Sequence, residues 1–228
     1  MSLRVYFLAI FLPLFGFSQH RTWLGVEVNL KPIKKTKLSL EFQHRMHGFT
    51  NWNRSFIEAK YAAKVNSGVS IFTSQRAGIN QNPYSSLDLK TTTYHFRTSI
   101  GIELKPINWF TDKSRFQIGI CEQIQFNQWK FERNNNLFRS KISVKYDFKD
   151  FPLTPFMNWE HFYDFNRDIT YLENEIIISG GTTAFRSFGG CIIELPKSQE
   201  VQISIGRNKD YLREISRIIL AIKYSVNI

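Results

Sequence analysis

The sequence predicts an all-β protein, an antiparallel up-and-down transmembrane β-barrel of about 10 to 12 strands behind a cleavable signal peptide. Three observations carry that reading. Polar and apolar residues alternate through nearly every stretch of the chain. Residues 37 to 45 show it, with Leu38, Leu40 and Phe42 on one side and Lys37, Ser39, Glu41, Gln43 and Arg45 on the other. A strand has a side-chain period of two, so each such segment has one apolar and one wet face. The N-terminus reads as an export leader, and the alternation then runs to the last residue, which suits a wall apolar toward lipid and polar toward a lumen.

In the leader, Arg4 is the charged n-region, Val5 to Phe17 is an apolar core interrupted by Pro13, and Gly16-Phe17-Ser18 is a small-x-small cleavage site. Residues 1–18 are therefore expected to be removed, leaving 19–228 as one barrel domain that starts at Gln19. A retained anchor is the alternative, but the apolar run is shorter than the roughly 20 residues a spanning helix needs. No Pro-, Gly- or Ser-rich linker divides the remainder.

Eleven alternating segments follow, at about 22–31, 36–48, 54–65, 68–80, 92–105, 114–128, 136–148, 153–165, 183–195, 199–208 and 214–228. Most are long enough for a tilted strand to cross hydrocarbon, which takes roughly 9 to 11 residues. In the fifth, Tyr94, Phe96, Ile100, Ile102 and Leu104 oppose His95, Arg97, Ser99, Gly101 and Glu103; in the last, Ile218, Leu220, Ile222, Tyr224, Val226 and Ile228 oppose Arg217, Lys223, Ser225 and Asn227. Tight connections are expected near 31–35, 64–68, 149–152 and 196–200, and longer ones near 48–54, 79–91 and 166–182, the last with a short extra strand at 175–178. Bacterial barrels take even strand numbers, so either the first segment lies outside the wall or a twelfth is undetected. Trp23, Trp109 and Trp129 fall near strand ends and Trp159 on an apolar row, which suits an aromatic girdle; the alternative is ordinary packing in a soluble sandwich.

Mean hydropathy is -0.27, the value of a soluble protein, and a barrel accounts for it because only alternate residues face lipid. The formal net charge is +11. In a cytosolic chain that would point to nucleic acid first, but the export leader sets nucleic acid aside. Lys and Arg are instead expected to meet anionic outer-membrane lipid and lipopolysaccharide and to line the interior, or, more sharply, to select small anionic solutes. Cys121 and Cys191 are too few for a disulfide scaffold, and their pairing is left open. The five histidines are scattered, and no spacing implies a metal or cofactor.

One stretch carries a family resemblance. Leu137-Phe138-Arg139-Ser140-Lys141-Ile142-Ser143-Val144-Lys145-Tyr146, followed by Phe151-Pro152-Leu153-Thr154-Pro155-Phe156-Met157-Asn158-Trp159-Glu160-His161-Phe162-Tyr163, resembles the central hairpin of an uncharacterised Bacteroidetes outer-membrane barrel family, domain of unknown function 2490. The leader ending Phe-Ser-Gln and the stretch Phe185-Arg186-Ser187-Phe188-Gly189-Gly190 are similar to that family too, whereas Ile228 departs from the usual terminal Phe. The resemblance implies an outer-membrane barrel, placed there by the barrel assembly machinery, and brings no catalytic residues.

The polar faces hold the candidate lumen residues: Lys60, Arg97, Arg139, Lys141, Lys145, Glu58, Glu103 and Glu160, among eleven inward cations and six inward acids. This excess favours a narrow anion-biased passage, with a non-conducting structural or binding barrel as the alternative. An acyl hydrolase needs a Ser nucleophile, a His base and an orienting partner. His95, Ser99 and Glu103 share one polar face, but His95 and Ser99 are about 13 Å apart at ~3.3 Å per residue. Glu160 and His161 are adjacent and so face opposite sides. The expectation is therefore of a protein that is not an enzyme, with an outer-membrane lipid acyl hydrolase as the minor alternative, since neighbouring strands can also supply partners.

Overall fold

A computed structural model describes residues 20–47, 51–82, 91–105, 115–129, 135–148, 151–172, 175–211 and 215–228. The leader expected at 1–18 lies outside the described residues. Eleven strands are present: β1 His20–Leu30, β2 Thr36–His47, β3 Asn51–Lys64, β4 Val69–Asn82, β5 Thr91–Leu104, β6 Phe116–Trp129, β7 Asn135–Tyr146, β8 Leu153–Leu172, β9 Glu175–Leu195, β10 Gln199–Asp210 and β11 Ile215–Asn227. Each pairs antiparallel with its sequence neighbours, and the sheet closes on itself.

Closure corrects the expectation of an even strand number. A chain that reverses at every turn brings an odd first and last strand together in the same direction. β1 and β11 accordingly pair parallel, from His20 opposite Ile218 to Asn29 opposite Asn227. Polar groups fasten this seam. Asn29 Nδ2 donates to Asn227 Oδ1 at 3.1 Å, and Lys223 Nζ reaches Glu27 at 2.8 Å. The first segment is thus in the wall, and no twelfth strand occurs among the described residues.

The alternation sorts side chains as a membrane barrel requires. Leu40, Phe96 and Ile100 lie on the outside, more than half exposed, while Phe56, His95 and Ser99 on the other face are buried. A soluble sandwich would hide both apolar rows between sheets; here they form the outer surface of a closed wall. Large inward rings sit over glycines on the next strand: His95 over Gly78 and Phe72 over Gly101, each pair directly opposed. A Cβ at either glycine would occupy the ring's place.

Two further expectations are corrected. Residues 166–182 were expected as a loop with a separate short strand, but β8 and β9 run 20 and 21 residues, and beyond Asp164 and Ala184 they pair only with each other. Trp23 is not a girdle residue: its ring lies inside the barrel, 5.6 Å from that of Phe188. Trp109 lies outside the described residues. Cys121 and Cys191 are free thiols on β6 and β9, which are not adjacent.

Candidate functional site

The barrel offers two arrangements of functional side chains, one in the lumen and one on the outer wall. The lumen holds a cavity of 520 Å³, and Glu58, Lys60, Arg97, Glu103, Arg139, Lys141, Lys145 and Glu160 all line it. Its lining carries eleven Lys and Arg side chains against five Glu.

Register explains the grouping. One row of direct cross-strand partners runs Glu27, Glu41, Glu58, Arg76, Arg97 and Asn127 over β1 to β6. Like charges directly opposed in such a row destabilise it unless others intervene. Lys223 therefore bridges Glu27 and Glu41 at 2.8 and 3.4 Å, and Arg76 is ion-paired with Glu58. A second row runs Glu103, Cys121, Lys141, Glu160 and Arg186 over β5 to β9. Glu160, buried, takes Arg139 at 2.5 Å and Arg186 at 3.0 Å, and Lys60 pairs with Glu103. Arg45 and Arg97 have no carboxylate partner among the described residues. Arg45 Nε donates to Gln43 at 2.6 Å and Arg97 Nε to Asn127 at 2.6 Å.

The triad candidates His95 and Ser99 also face this interior and are fully enclosed, at 0% and 2% exposure. Buried on the lumen side, they have no access to lipid.

The outer wall carries a different set. Cys121 and Gln123, Arg139 and Lys141, and Glu160 and Phe162 line the cavity, so Glu122, Ser140 and His161 between them point outward. Ser140 stands directly opposite both Glu122 and His161. Its hydroxyl donates to the Glu122 carboxylate, and His161 Nε2 shares a 3.1 Å hydrogen bond with Thr182 Oγ1. Thr182 reaches this face through a bulge. Phe162 pairs with Ala184 but Tyr163 with Thr182, so Thr183 is left over and the facing of β9 shifts by one.

Depth on the wall can be read from the ladder between β7 and β8. Its outward rungs are Phe138 with Tyr163, Ser140 with His161, Ile142 with Trp159, and Val144 with Met157. Phe138, Tyr163 and Phe165 form an edge-packed aromatic cluster above the polar rung, and Tyr146, Phe148 and Phe151 form another at the far end. Phe138 to Tyr146 is nine residues, within the roughly 9 to 11 that a tilted strand takes to cross an apolar belt flanked by aromatic girdles. The polar rung thus lies just inside one edge of that belt. A second outward pair is His44 Nδ1 and Ser55 Oγ, at 2.8 Å.

Sequence reasoning placed the chemistry in the lumen and missed the wall. The signal for Ser140 and Glu122 was present as polar residues interrupting the apolar rows Phe138, Ile142, Val144 and Ile120, Ile124. Thr182 had none, because its facing depends on the bulge.

No protein-family model and no curated protein matches the chain. Among solved structures it is similar to LpxR from Salmonella typhimurium, with a TM-score of 0.52 at 8% identity, over 84% of this chain and 83% of that one. At that identity the likeness is one of fold, and the fold is an outer-membrane-type β-barrel. The expectation of a protein that is not an enzyme does not stand beside this likeness, because LpxR, a barrel of this fold, is itself an outer-membrane lipid A deacylase.

Proposed function

We propose that this chain is an outer-membrane enzyme that hydrolyses ester-linked acyl chains of membrane lipid at its outer wall. The row Glu122, Ser140, His161 and Thr182 carries the reading. Ionisable groups facing lipid cost free energy and mark a functional site by default. Here a hydroxyl, a carboxylate and an imidazole share one short stretch of wall beneath an aromatic cluster. With the C-terminal rim at the periplasm, that cluster lies in the outer leaflet, where acyl esters sit at the border of headgroup and hydrocarbon. The likeness to LpxR supports an enzyme built on this fold.

Ser140 is the nucleophile. Its oxygen attacks the ester carbonyl carbon while its proton passes to Glu122, to which it is already hydrogen-bonded. The protonated Glu122 then hands that proton to the departing alcohol as the ester C–O bond breaks. Water, deprotonated by Glu122, cleaves the acyl-serine and releases the fatty acid, and the proton returns to Ser140. His161, held by Thr182, stands across from Ser140 to hydrogen-bond the carbonyl oxygen as charge develops on it. Purified protein mixed with phospholipid or lipopolysaccharide should release fatty acid. Ser140→Ala and Glu122→Gln should abolish release, and Ser99→Ala should not. No release from either lipid, or release unaffected by Ser140→Ala, refutes the reading.

The lumen favours a second activity, passage of small anions, because Arg45 and Arg97 lack carboxylate partners among the described residues. In a planar bilayer the protein should then pass anions in preference to cations, and neutralising Arg97, Arg139 and Lys141 should reduce that preference. Zero conductance refutes passage and leaves a sealed barrel.

A further inference from the structure

We infer that the arginines ringing the lumen form a binding site for a small, multiply charged oxyanion of the phosphate class. Guanidiniums and aromatic rings alternate around the interior. Phe56 carries Arg76 at 3.8 Å and Arg45 at 4.9 Å from its centroid, and Trp23 carries Arg45 at 3.9 Å and Arg186 at 5.0 Å. Phe162 carries Arg186 at 4.9 Å and Arg139 at 5.6 Å. Cation–π contacts hold guanidiniums in place without neutralising them.

Negative charge is what the ring lacks. Arg45, Arg76, Arg97, Arg139 and Arg186 are five cations, and among the described residues two carboxylates pair with them, Glu58 on Arg76 and Glu160 on Arg139 and Arg186, an excess of three. Among the described residues Arg45 has a neutral amide oxygen and two rings, and Arg97 has a neutral amide oxygen. Unneutralised charge in a poorly solvated interior is costly, and an anion among the guanidiniums removes that cost. A phosphate-class oxyanion fits better than a halide because the guanidinium fork bonds two oxygens of one group at once. A cavity of 520 Å³ admits phosphate, pyrophosphate or a short phosphoester and excludes a polymer.

The inference rests on the same cationic lumen as the passage reading but requires no open path. Titrate the purified full chain in detergent with inorganic pyrophosphate and with inorganic phosphate, following heat of binding and thermal unfolding. One saturable site that weakens with added salt is expected, with stabilisation on binding. Arg97→Gln and Arg45→Gln should each weaken it by tenfold or more, Arg97→Lys by less, and Ile57→Val on the outer face not at all. Folding of each variant is checked by the heat-dependent mobility shift. If a Gln variant does not fold, displacement of pyrophosphate by salt in the native chain and the Lys variant decide. Binding without bilayer conductance leaves the site standing and removes passage; conductance without binding removes the site. Absence of saturable binding to both anions, or binding indifferent to Arg45 and Arg97, overturns it.

Discussion

Arg76 on β4 and Arg97 on β5 are direct cross-strand partners on the lumen face, two guanidiniums side by side in one row of the sheet. The arrangement is stable only through what flanks it: Glu58 beside Arg76 and Asn127 beside Arg97. Glu58→Gln should therefore destabilise the barrel by about 1 to 3 kcal/mol, since it leaves two like charges opposed in a partly buried row. Adding Arg97→Gln should restore part of that loss. Unfolding in detergent by increasing denaturant measures both, and additive losses would show that the two arginines do not repel through this row.

The facing of the wall predicts an asymmetry between neighbours. Ile142 points to lipid, and Ser143 beside it lines the lumen. Ile142→Arg should cost about 2 to 4 kcal/mol and impair assembly, while Ser143→Arg costs less. The fraction showing heat-dependent gel mobility reports assembly, and equal effects would mean the facing is wrong.

Gly101 lies under the Phe72 ring and against the Glu122 carbonyl, whereas nothing lies within 4 Å of a Cβ placed on Gly189. Gly101→Ala should lower stability by about 1 to 3 kcal/mol through overpacking. Gly189→Ala should be near neutral by the same denaturant titration. Equal stabilities would remove the close approach of Phe72.

The parallel seam is open to chemical test. Leu24 on β1 and Ile222 on β11 are direct partners on the outer face. In a chain with Cys121 and Cys191 changed to Ser, Leu24→Cys with Ile222→Cys should form a disulfide on mild oxidation. Leu24→Cys with Ile205→Cys, on strands not adjacent, should not. The reverse outcome would mean the barrel closes differently.

Much of this architecture is legible in the residues, and its failures have causes. Strand β5 at Thr91–Leu104 was expected at 92–105, because lipid on one side imposes a strict period of two. Where β8 and β9 continue past the wall, that constraint lapses and the strands read as a loop. Trp23 was legible yet misread: Leu24 and Val26 face out, so Trp23 must face in. The inward set, from Glu58 to Glu160, follows from parity alone. The contacts that matter on the wall do not. Ser140 meets Glu122 and His161 through register, which no single strand encodes, and Thr182 joins them through a bulge.

Covalent labelling shows whether a serine nucleophile faces the membrane. Treat the purified protein with a long-chain alkyl fluorophosphonate, digest it and map the modified residue by mass spectrometry. Modification of Ser140, lost in Glu122→Gln and blocked by excess lipid substrate, is the expected result. Modification of Ser99 alone, or of no serine while fatty acid release proceeds, would contradict it.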